Sequence, residues 1–303
     1  MCDPRLLLLG EHMANVDTNG LVAKQKLTPA EIAEIKQLAA QCDAHDQATV
    51  RVNWDSLATR SGNETNDFFY YRDGRLIGVL SLYSFGQSEA EASGMVHPDE
   101  RRQHIFSTLA AAAVAELRRR RIPKLVFFCD HQSQAGIALL EASKAQYGYA
   151  EYRMDLGTPR IPEAFDERLR VERAGVADVD DIARIVGHAF GMPDDDRRQS
   201  MIKHMASDTT LYYLARLDGE AIGALTLILG DDDAGIYGFA VVPEQRGRGY
   251  GRQILAQVIQ YALADGPRQV YLEVAPDNDR ALGLYQSVGF SETKRYDYYI
   301  LAV

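Results

Sequence analysis

The second half of the sequence repeats the first half at a constant distance of 145 residues. The matching pairs are Gly74 with Gly219, Gly78 with Gly223, Pro98 with Pro243, and Arg101 with Arg246. A constant offset across several elements indicates two copies of one unit, aligned without net insertion. Because solenoid repeats recur every roughly 20–50 residues, a period of this size predicts a duplicated domain instead.

Helix-capping residues, prolines and glycines indicate the boundaries of the two copies. Thr28 and Glu31 have the spacing of a capping box that opens a helix, so residues 1–27 are predicted to form a loose tail. The stretch 156–163 contains two prolines and a glycine, which is typical of a linker. We therefore predict a first domain over 28–157, a linker over 158–168 and a second domain over 169–303.

Each copy contains a β-hairpin signal. Asp73-Gly74 and Asp218-Gly219 each lie between two apolar runs, and the Asp-Gly pair favours the tight turn of a hairpin. Further along the second copy, the apolar pattern predicts a buried strand over 236–242 and a helix over 253–262. A glycine-rich turn joins that strand to that helix.

Composition excludes several classes of function. The net charge of −10 disfavours nucleic-acid binding, which needs a basic face, and suits a cationic acceptor. The three cysteines and seven histidines show no metal-ligand spacing, so we expect no metal site and a reducing, cytoplasmic compartment. The apolar run 6–9 is too short to cross a membrane, and no membrane association is expected.

Gly247, Gly249 and Gly251 lie at the junction between the predicted strand and the predicted helix. Glycine allows positive φ and close backbone approach, and a helix N-terminus presents free N–H groups with partial positive charge. Three nearby arginines add full positive charges: Arg246, Arg248 and Arg252. The pattern predicts a phosphate or a pyrophosphate bound on this turn.

Other phosphate-binding motifs do not fit this turn. A P-loop needs Gly-Lys-Ser/Thr, and a dinucleotide fingerprint needs G-x-G-x-x-G, whereas these glycines are spaced G-x-G-x-G. The alternative interpretation is an arginine-rich surface turn that caps an ordinary helix.

Two sequence blocks resemble the GNAT superfamily of N-acetyltransferases. Arg246-x-x-Gly249-x-Gly251 matches the acyl-CoA motif of that family. The second matching block is Asn278-x-x-Ala281-x-x-Leu284-Tyr285-x-x-x-Gly289-Phe290. The resemblance implies an α/β (α+β) fold of two tandem GNAT-like domains, each a mixed, mostly antiparallel central sheet flanked by helices.

The resemblance also implies that acetyl-CoA is the co-substrate. The backbone of residues 246–251 would hold its pyrophosphate, and the strand 239–241 would pair with its pantetheine arm. Asn278 would hydrogen-bond the pantetheine, although the same residue suits a helix-capping turn equally well. The expected coenzyme-binding residues are Phe239, Ala240, Val241, Arg246, Gly247, Arg248, Gly249, Tyr250, Gly251, Arg252, Asn278 and Tyr285.

Amine acetylation requires a polarised thioester carbonyl, a base for the amine and an acid for the leaving thiolate. By resemblance, a backbone N–H around Val241 supplies the first and Tyr285 is the acid; a core aromatic is the alternative interpretation of Tyr285. Glu273 interrupts an apolar strand and is the candidate base. Tyr237 or a water held by backbone carbonyls could serve instead, and Glu273 could lie on a solvated face.

The first copy lacks these features. Arg102, His104 and Phe106 replace the three glycines, and their side chains are expected to restrict φ and to narrow the turn. Leu140, Phe128 and Ser133 stand in the places of Tyr285, Glu273 and Asn278. We therefore expect the second copy to be the enzyme and the first to be a degenerate copy.

The sequence thus predicts direct transfer of an acetyl group from acetyl-CoA to a primary amine of a small molecule or peptide. No cysteine lies in the second-copy motifs, which disfavours a covalent acyl-enzyme. The expected assembly is a monomer or a homodimer. The alternatives are a non-catalytic acyl-CoA-binding or interaction module, and a transferase that uses an aminoacyl-tRNA.

Overall fold

The computed structural model describes residues 19–303 except 85–86, 192–197, 200, 203, 231 and 265–268. The apolar run 6–9 therefore lies outside the described residues. The chain divides into two compact units, of which the first comprises Met1–Tyr149 with Asp297–Val303 and the second comprises Ala150–Tyr296.

The first unit alternates helices with an antiparallel meander. Its elements are β1 (Gly20–Lys24), α1 (Pro29–Asp46), α2 (Trp54–Ala58), β2 (Asp67–Arg72), β3 (Arg75–Ser84), β4 (Ala90–Val96), α3 (Ile105–Arg120), β5 (Lys124–Asp130) and α4 (Gln134–Ala142). Strands β1 to β4 pair antiparallel in chain order, and β4 pairs parallel with β5.

Two apolar clusters cover the two faces of the first sheet. Leu109 and Leu117 of α3 pack with Leu80 on one face. Ile35 and Leu38 of α1 pack on the other face. The last residues of the chain complete this unit, since Tyr299 belongs to the α3 cluster and the Val303 N–H donates to the Pro123 carbonyl at 2.9 Å.

The second unit has the same succession of elements. They are β7 (Leu169–Arg173), α5 (Val179–Phe190), β8 (Thr210–Leu217), β9 (Glu220–Leu229), β10 (Asp233–Val241), α6 (Tyr250–Ala264), β11 (Gln269–Val274) and α7 (Asp279–Ser287), with most of β6 (Gln146–Leu156) and the first half of β12 (Phe290–Ala302). Strands β7 to β10 pair antiparallel in chain order, β10 pairs parallel with β11, and β11 pairs antiparallel with β6.

Helices again cover both faces of the second sheet. Ile254 and Leu255 of α6 pack with Leu272 and with Tyr285 of α7 on one face. Ile182 and Ile185 of α5 pack on the opposite face. The prediction of two mixed, mostly antiparallel sheets flanked by helices is confirmed.

The predicted hairpin turns and the first helix cap are confirmed. Asp73 and Gly74 have φ of 50° and 71°, and Asp218 and Gly219 have φ of 51° and 89°. Two successive positive φ angles are typical of the type I′ turn that matches strand twist. The capping box at α1 forms as predicted, with the Thr28 N–H donating to the Glu31 carboxylate at 2.7 Å.

Three details differ from the sequence predictions. Residues 20–24, predicted as part of a loose tail, form β1 and pair with β2. The compact units place Ala150 to Leu156 in the second unit and Asp297–Val303 in the first, whereas the predicted domains 28–157 and 169–303 assign them the other way. A sequence repeat identifies equivalent residues, but it does not determine which sheet a final strand joins.

Candidate functional site

The strands β10 and β11 separate halfway along their length. Their parallel pairing runs from Asp233 with Gln269 to Ile236 with Leu272. At the next residues the pairing of β10 with β9 shifts register, and Gly238 adopts a left-handed φ of 57°. Residues 239–241 thus have no ladder partner on β11 among the described residues. Such an open strand edge can pair with an extended ligand.

The turn after β10 has the conformation that its glycines predict. Gly247 and Gly249 have φ of 73° and 84°, and α6 begins at Tyr250. A Cβ atom built on either glycine would meet no atom within 4 Å. Glycine adopts this left-handed backbone without steric strain, and the space beside the start of α6 is open to a ligand.

Gly251 has a different role in the same turn. A Cβ atom at this position would lie 3.2 Å from Leu284 Cδ2 and 3.7 Å from Phe239 Cζ. The missing side chain therefore allows the first turn of α6 to approach α7 and the open strand closely.

Positive charge surrounds the turn without internal neutralisation. The Arg246 Nε–H donates to the Val241 carbonyl at 2.8 Å, which leaves its terminal N–H groups available. Arg248 and Arg252 are exposed. Within the described part of the chain, none of the three arginines forms an ion pair, so the charges remain available to an anion.

Tyr285 lies on α7 at the edge of the α6 cluster. Its side chain is 9% exposed and its ring packs edge-on against Phe290, with the ring centroids 6.3 Å apart. Burial raises the pKa of Tyr285 to about 12. Its hydroxyl has no hydrogen-bond partner among the described side chains and backbone groups, so a protonated donor is held ready at neutral pH.

Glu273 lies on the other face of the sheet from Tyr285. Strand β11 alternates, so Leu272 and Val274 join the cluster that contains Tyr285, while Glu273 and Tyr271 point to the opposite, α5-facing side. Glu273 is half-buried and pairs in register with Arg153 of β6. The described contacts therefore do not bring the two predicted catalytic residues together.

A polar cluster accompanies Glu273 on that face. The hydroxyls of Tyr237 and Tyr271 are 2.8 Å apart, and the Arg153 guanidinium lies 3.8 Å from the Tyr271 ring centroid. Burial raises the pKa of Tyr271, and the charges of Asp233 and Glu273 add to that rise. The sequence prediction named Tyr237 but missed Tyr271 and Arg153. The two-residue period of the strand, counted from Glu273, could have revealed Tyr271.

The remaining predicted residues have structural contacts. The Asn278 side chain accepts the Ala281 N–H at 3.2 Å, so it caps α7, which was the alternative interpretation. Tyr250 is buried, and its hydroxyl lies 3.4 Å from the Asp166 carboxylate. Its side chain therefore belongs to the core, and only its backbone lies at the turn.

The turn of the first unit keeps its shape without glycine. Arg102 and His104 have φ of 63° and 61°, so the prediction that side chains restrict φ at these positions is wrong. Phenylalanine and glycine are also exchanged between the units, because Gly94 and Phe106 stand in the places of Phe239 and Gly251. A Cβ built on Gly94 would lie 3.0 Å from Phe106 Cε2, and a Cβ built on Gly251 would lie 3.7 Å from Phe239 Cζ. The first unit differs from the second in what fills the turn, and the backbone path is preserved.

Arg102→Gly is expected to stabilise the protein by roughly 0.5–1 kcal/mol. A left-handed conformation costs a non-glycine residue about 1–2 kcal/mol, which the change to glycine removes. Glycine loses more backbone entropy on folding, and this loss cancels about 0.5–1 kcal/mol of the gain. Urea denaturation measures the change. As a control, Arg118→Gly within α3 should lower stability by about 0.5–1 kcal/mol, and destabilisation by both changes would contradict the strain at Arg102.

The described residues contain neither a metal site nor a membrane-spanning helix. No group of three or more His, Cys, Asp or Glu side chains in this part of the chain is arranged to hold a metal ion. None of the helices built from the described residues has the length and apolar character needed to cross a membrane.

Comparison with known proteins matches both halves of the chain to one family. The model of the acetyltransferase (GNAT) family matches residues 31–143 and again 175–290. A mycothiol acetyltransferase from Actinosynnema mirum is 26% identical over 285 residues, which cover 88% of this chain and 95% of that protein. An uncharacterized protein of Mycobacterium leprae is 32% identical over 118 residues, 38% of this chain and only 32% of that protein.

Solved structures share the fold. A GCN5-related N-acetyltransferase from Sphaerobacter thermophilus has a TM-score of 0.78 at 20% identity, covering 93% of this chain and 95% of that one. A tandem GNAT protein from the clavulanic acid biosynthesis pathway has a TM-score of 0.74 at 18% identity, covering 93% and 98%. At these identities the likeness concerns the arrangement of the chain and leaves the substrate open.

Proposed function

The chain belongs to the acetyltransferase (GNAT) family, and from that premise we propose that it moves an acetyl group from acetyl-CoA to a primary amine. The observation that carries this proposal is the turn of the second unit. Its left-handed glycines, the start of α6 and the exposed Arg248 and Arg252 together form an anion cradle beside an open strand edge.

The cradle and the open strand suit two neighbouring parts of the coenzyme, its pyrophosphate and its pantetheine arm. The start of α6, with its free N–H groups, adjoins the space that Gly247 and Gly249 leave open, where a pyrophosphate would bind. The backbone of residues 239–241 would hydrogen-bond the amide groups of the pantetheine arm, as an added strand would. The thioester would then lie at the fork between β10 and β11.

Residues on both faces of the fork supply the chemistry. A backbone N–H near Val241 would polarise the thioester carbonyl while the amine nitrogen attacks its carbon and the carbon–sulfur bond breaks. Glu273 would accept the proton that the amine loses, and the Tyr285 hydroxyl would protonate the leaving sulfur. The positions of these two residues on opposite faces are compatible with roles on opposite sides of the reacting carbon.

The second unit is the better candidate for this activity. In the first unit, Leu140 and Phe128 occupy the places of Tyr285 and Glu273, so neither the acid nor the base is present. We propose that the acceptor is a small molecule or a peptide with a primary amine. The relationship to a mycothiol acetyltransferase supports the use of an acetyl donor and does not identify the acceptor of this chain.

Thiol release during incubation with acetyl-CoA and a panel of amines tests the proposal. We expect acetyl-CoA to bind in calorimetry and free CoA thiol to accumulate with at least one amine. Binding without thiol release for any amine would favour the alternative, a non-catalytic acyl-CoA-binding module. Absence of acetyl-CoA binding would refute both.

Glu273→Gln is expected to lower kcat about 100-fold at neutral pH, because general-base catalysis contributes about 100-fold to 10,000-fold. The variant should recover as the pH approaches the pKa of the amine, near 10 for a lysine-like amine, since the amine then loses its proton unaided. The measurement is a pH–rate profile at saturating acetyl-CoA. Glu220→Gln, at an exposed hairpin, is the matched control, and an unchanged profile in Glu273→Gln would remove this residue from the mechanism.

A further inference from the structure

The first unit contains an arginine that holds a carboxylate. The Arg101 Nε–H donates to the Val96 carbonyl at 3.1 Å, and its two terminal nitrogens donate to the two carboxylate oxygens of Asp46 at 2.7 Å and 2.8 Å. This is the bidentate geometry in which arginine recognises carboxylates most strongly. Asp46 is the last residue of α1, and a left-handed residue, Gln47, follows it.

The second unit repeats the arginine and omits the carboxylate. Arg246 and Val241 lie 145 positions after Arg101 and Val96, and they form the same Nε–carbonyl bond, at 2.8 Å. Helix α5 also ends before a left-handed residue, Gly191, which lies 145 positions after Asp46. The last residue of the helix, which is the equivalent of Asp46 by its position in the helix, is Phe190. A phenyl ring cannot accept a bidentate hydrogen bond, so the terminal nitrogens of this second arginine are left for an external partner.

Arg246 also lines a cavity. Its volume is about 160 Å³, and it lies between α5 and the end of β10. The lining includes Arg184 and His188 from α5 and Glu244 from the turn. A water molecule takes about 30 Å³ of liquid, so the cavity has room for a carboxylate with part of the group that carries it.

From this comparison, and resting on the function proposed above, we propose that the second unit binds a carboxylate of the amine acceptor at Arg246. The carboxylate would take the position that Asp46 takes at Arg101, with His188 and Arg184 as further donors. The first unit has built this anion into its own chain, and the second unit receives it with the substrate.

The location of the cavity favours the acceptor over the coenzyme as the source of the anion that binds Arg246. Helix α5, which lines the cavity, packs on the sheet face that carries Tyr237 and Glu273. Helix α6, whose start forms the proposed pyrophosphate cradle, packs on the other face. An acceptor with its amine near Glu273 would therefore reach Arg246 along a single face of the sheet.

The spacing limits the kind of acceptor. Val241, whose carbonyl holds Arg246, follows Tyr237, at the fork, by four positions of β10. A strand rises about 3.3 Å per residue. The amine and the carboxylate of the acceptor would thus be on the order of 10 Å apart. An α-amino acid is too short, whereas a short peptide with a free N-terminus and a free C-terminus fits.

Calorimetry with triglycine and triglycinamide at saturating CoA tests this proposal on the full chain. Triglycine spans roughly 10 Å when extended, and the amide differs only by the missing charge. We expect triglycine to bind at least ten times more tightly than the amide in the wild type, and Arg246→Gln to remove the difference. Equal binding of the two peptides by the wild type would overturn the proposal.

A crystal soaked in sodium formate provides a test that needs no coenzyme. Formate should bind Arg246 in the wild type, should be absent in Arg246→Gln, and should appear also at Arg101 in Asp46→Asn, where the internal carboxylate is gone. If Asp46→Asn does not fold, the wild-type and Arg246→Gln crystals decide alone, and no formate at Arg246 would overturn the proposal.

The coenzyme remains distinguishable as a competing partner of Arg246. One outcome would overturn the acceptor site: Arg246→Gln weakens acetyl-CoA binding tenfold and leaves the difference between the two peptides unchanged. The guanidinium would then bind a coenzyme phosphate. Thiol release would still test the proposed transferase, because that assay does not depend on which anion Arg246 binds.

Discussion

Replacing Gly249 with histidine is expected to abolish detectable acetyl-CoA binding while the second unit stays folded. The first unit shows why the fold should survive, since His104 stands at the equivalent position with a φ of 61°, close to the 84° of Gly249. The new side chain would enter space in which a Cβ atom now meets nothing within 4 Å. That is the space where a pyrophosphate would contact the start of α6.

The expected loss follows from the hydrogen bonds that the side chain would displace. Hydrogen bonds to a charged group contribute about 1.5–3 kcal/mol each, so losing two weakens binding roughly 100-fold or more. Isothermal titration calorimetry with acetyl-CoA measures the affinity, and circular dichroism checks the fold. Tight binding by the folded Gly249→His variant would contradict the cradle.

Gly219→His is the matched control for this experiment. Gly219 also has a left-handed φ, 89°, and also has nothing within 4 Å of a built Cβ, but it lies in the hairpin between β8 and β9. Acetyl-CoA binding by this variant should equal that of the wild type. Loss of binding in both variants would indicate that histidine at a left-handed position disturbs the unit as a whole.

The features that sequence predicted correctly are those that neighbouring residues determine. The Asp-Gly hairpins and the Thr28–Glu31 capping box depend on backbone preferences within four residues. The strand, turn and helix around Gly249 are equally local. The internal repeat extends each local prediction to a second copy of the domain, whereas the fold class came from the resemblance of two sequence blocks to the GNAT superfamily.

The features that sequence could not predict depend on contacts between distant residues. Arg153 reaches Tyr271 because β6 pairs with β11, and Asp46 reaches Arg101 across 55 positions. Burial of Tyr285 likewise depends on Phe290 and on the α6 cluster. The left-handed φ of His104 is a further example, because the path of the chain imposes a conformation that the residue itself disfavours.

Tyr285→Phe is expected to lower kcat by about 100-fold to 1,000-fold, because a general acid contributes about 100-fold to 10,000-fold to a proton transfer. Affinity for acetyl-CoA should stay within about threefold of the wild type, since a difference of 1.4 kcal/mol would be needed for tenfold. The ring would remain packed against Phe290, and only the hydroxyl that no described residue engages would be lost.

The pH dependence separates an acid from a packing role at Tyr285. Burial raises the pKa of Tyr285 to about 12, so the hydroxyl stays protonated through neutral and moderately alkaline pH, and its contribution disappears only as the pH rises through about 12. The wild type should therefore show no loss of kcat attributable to this group between pH 7 and about 10.

Tyr261→Phe is the matched control, because Tyr261 lies on α6 of the same unit and its hydroxyl donates to the Val171 carbonyl at 3.2 Å. Its kcat should equal that of the wild type, with at most a small loss of stability. Stopped-flow measurement of thiol release gives kcat for all three proteins at saturating acetyl-CoA and amine. If Tyr285→Phe and Tyr261→Phe turn over at the same rate, the leaving sulfur takes its proton from another donor, and Tyr285 serves only the core.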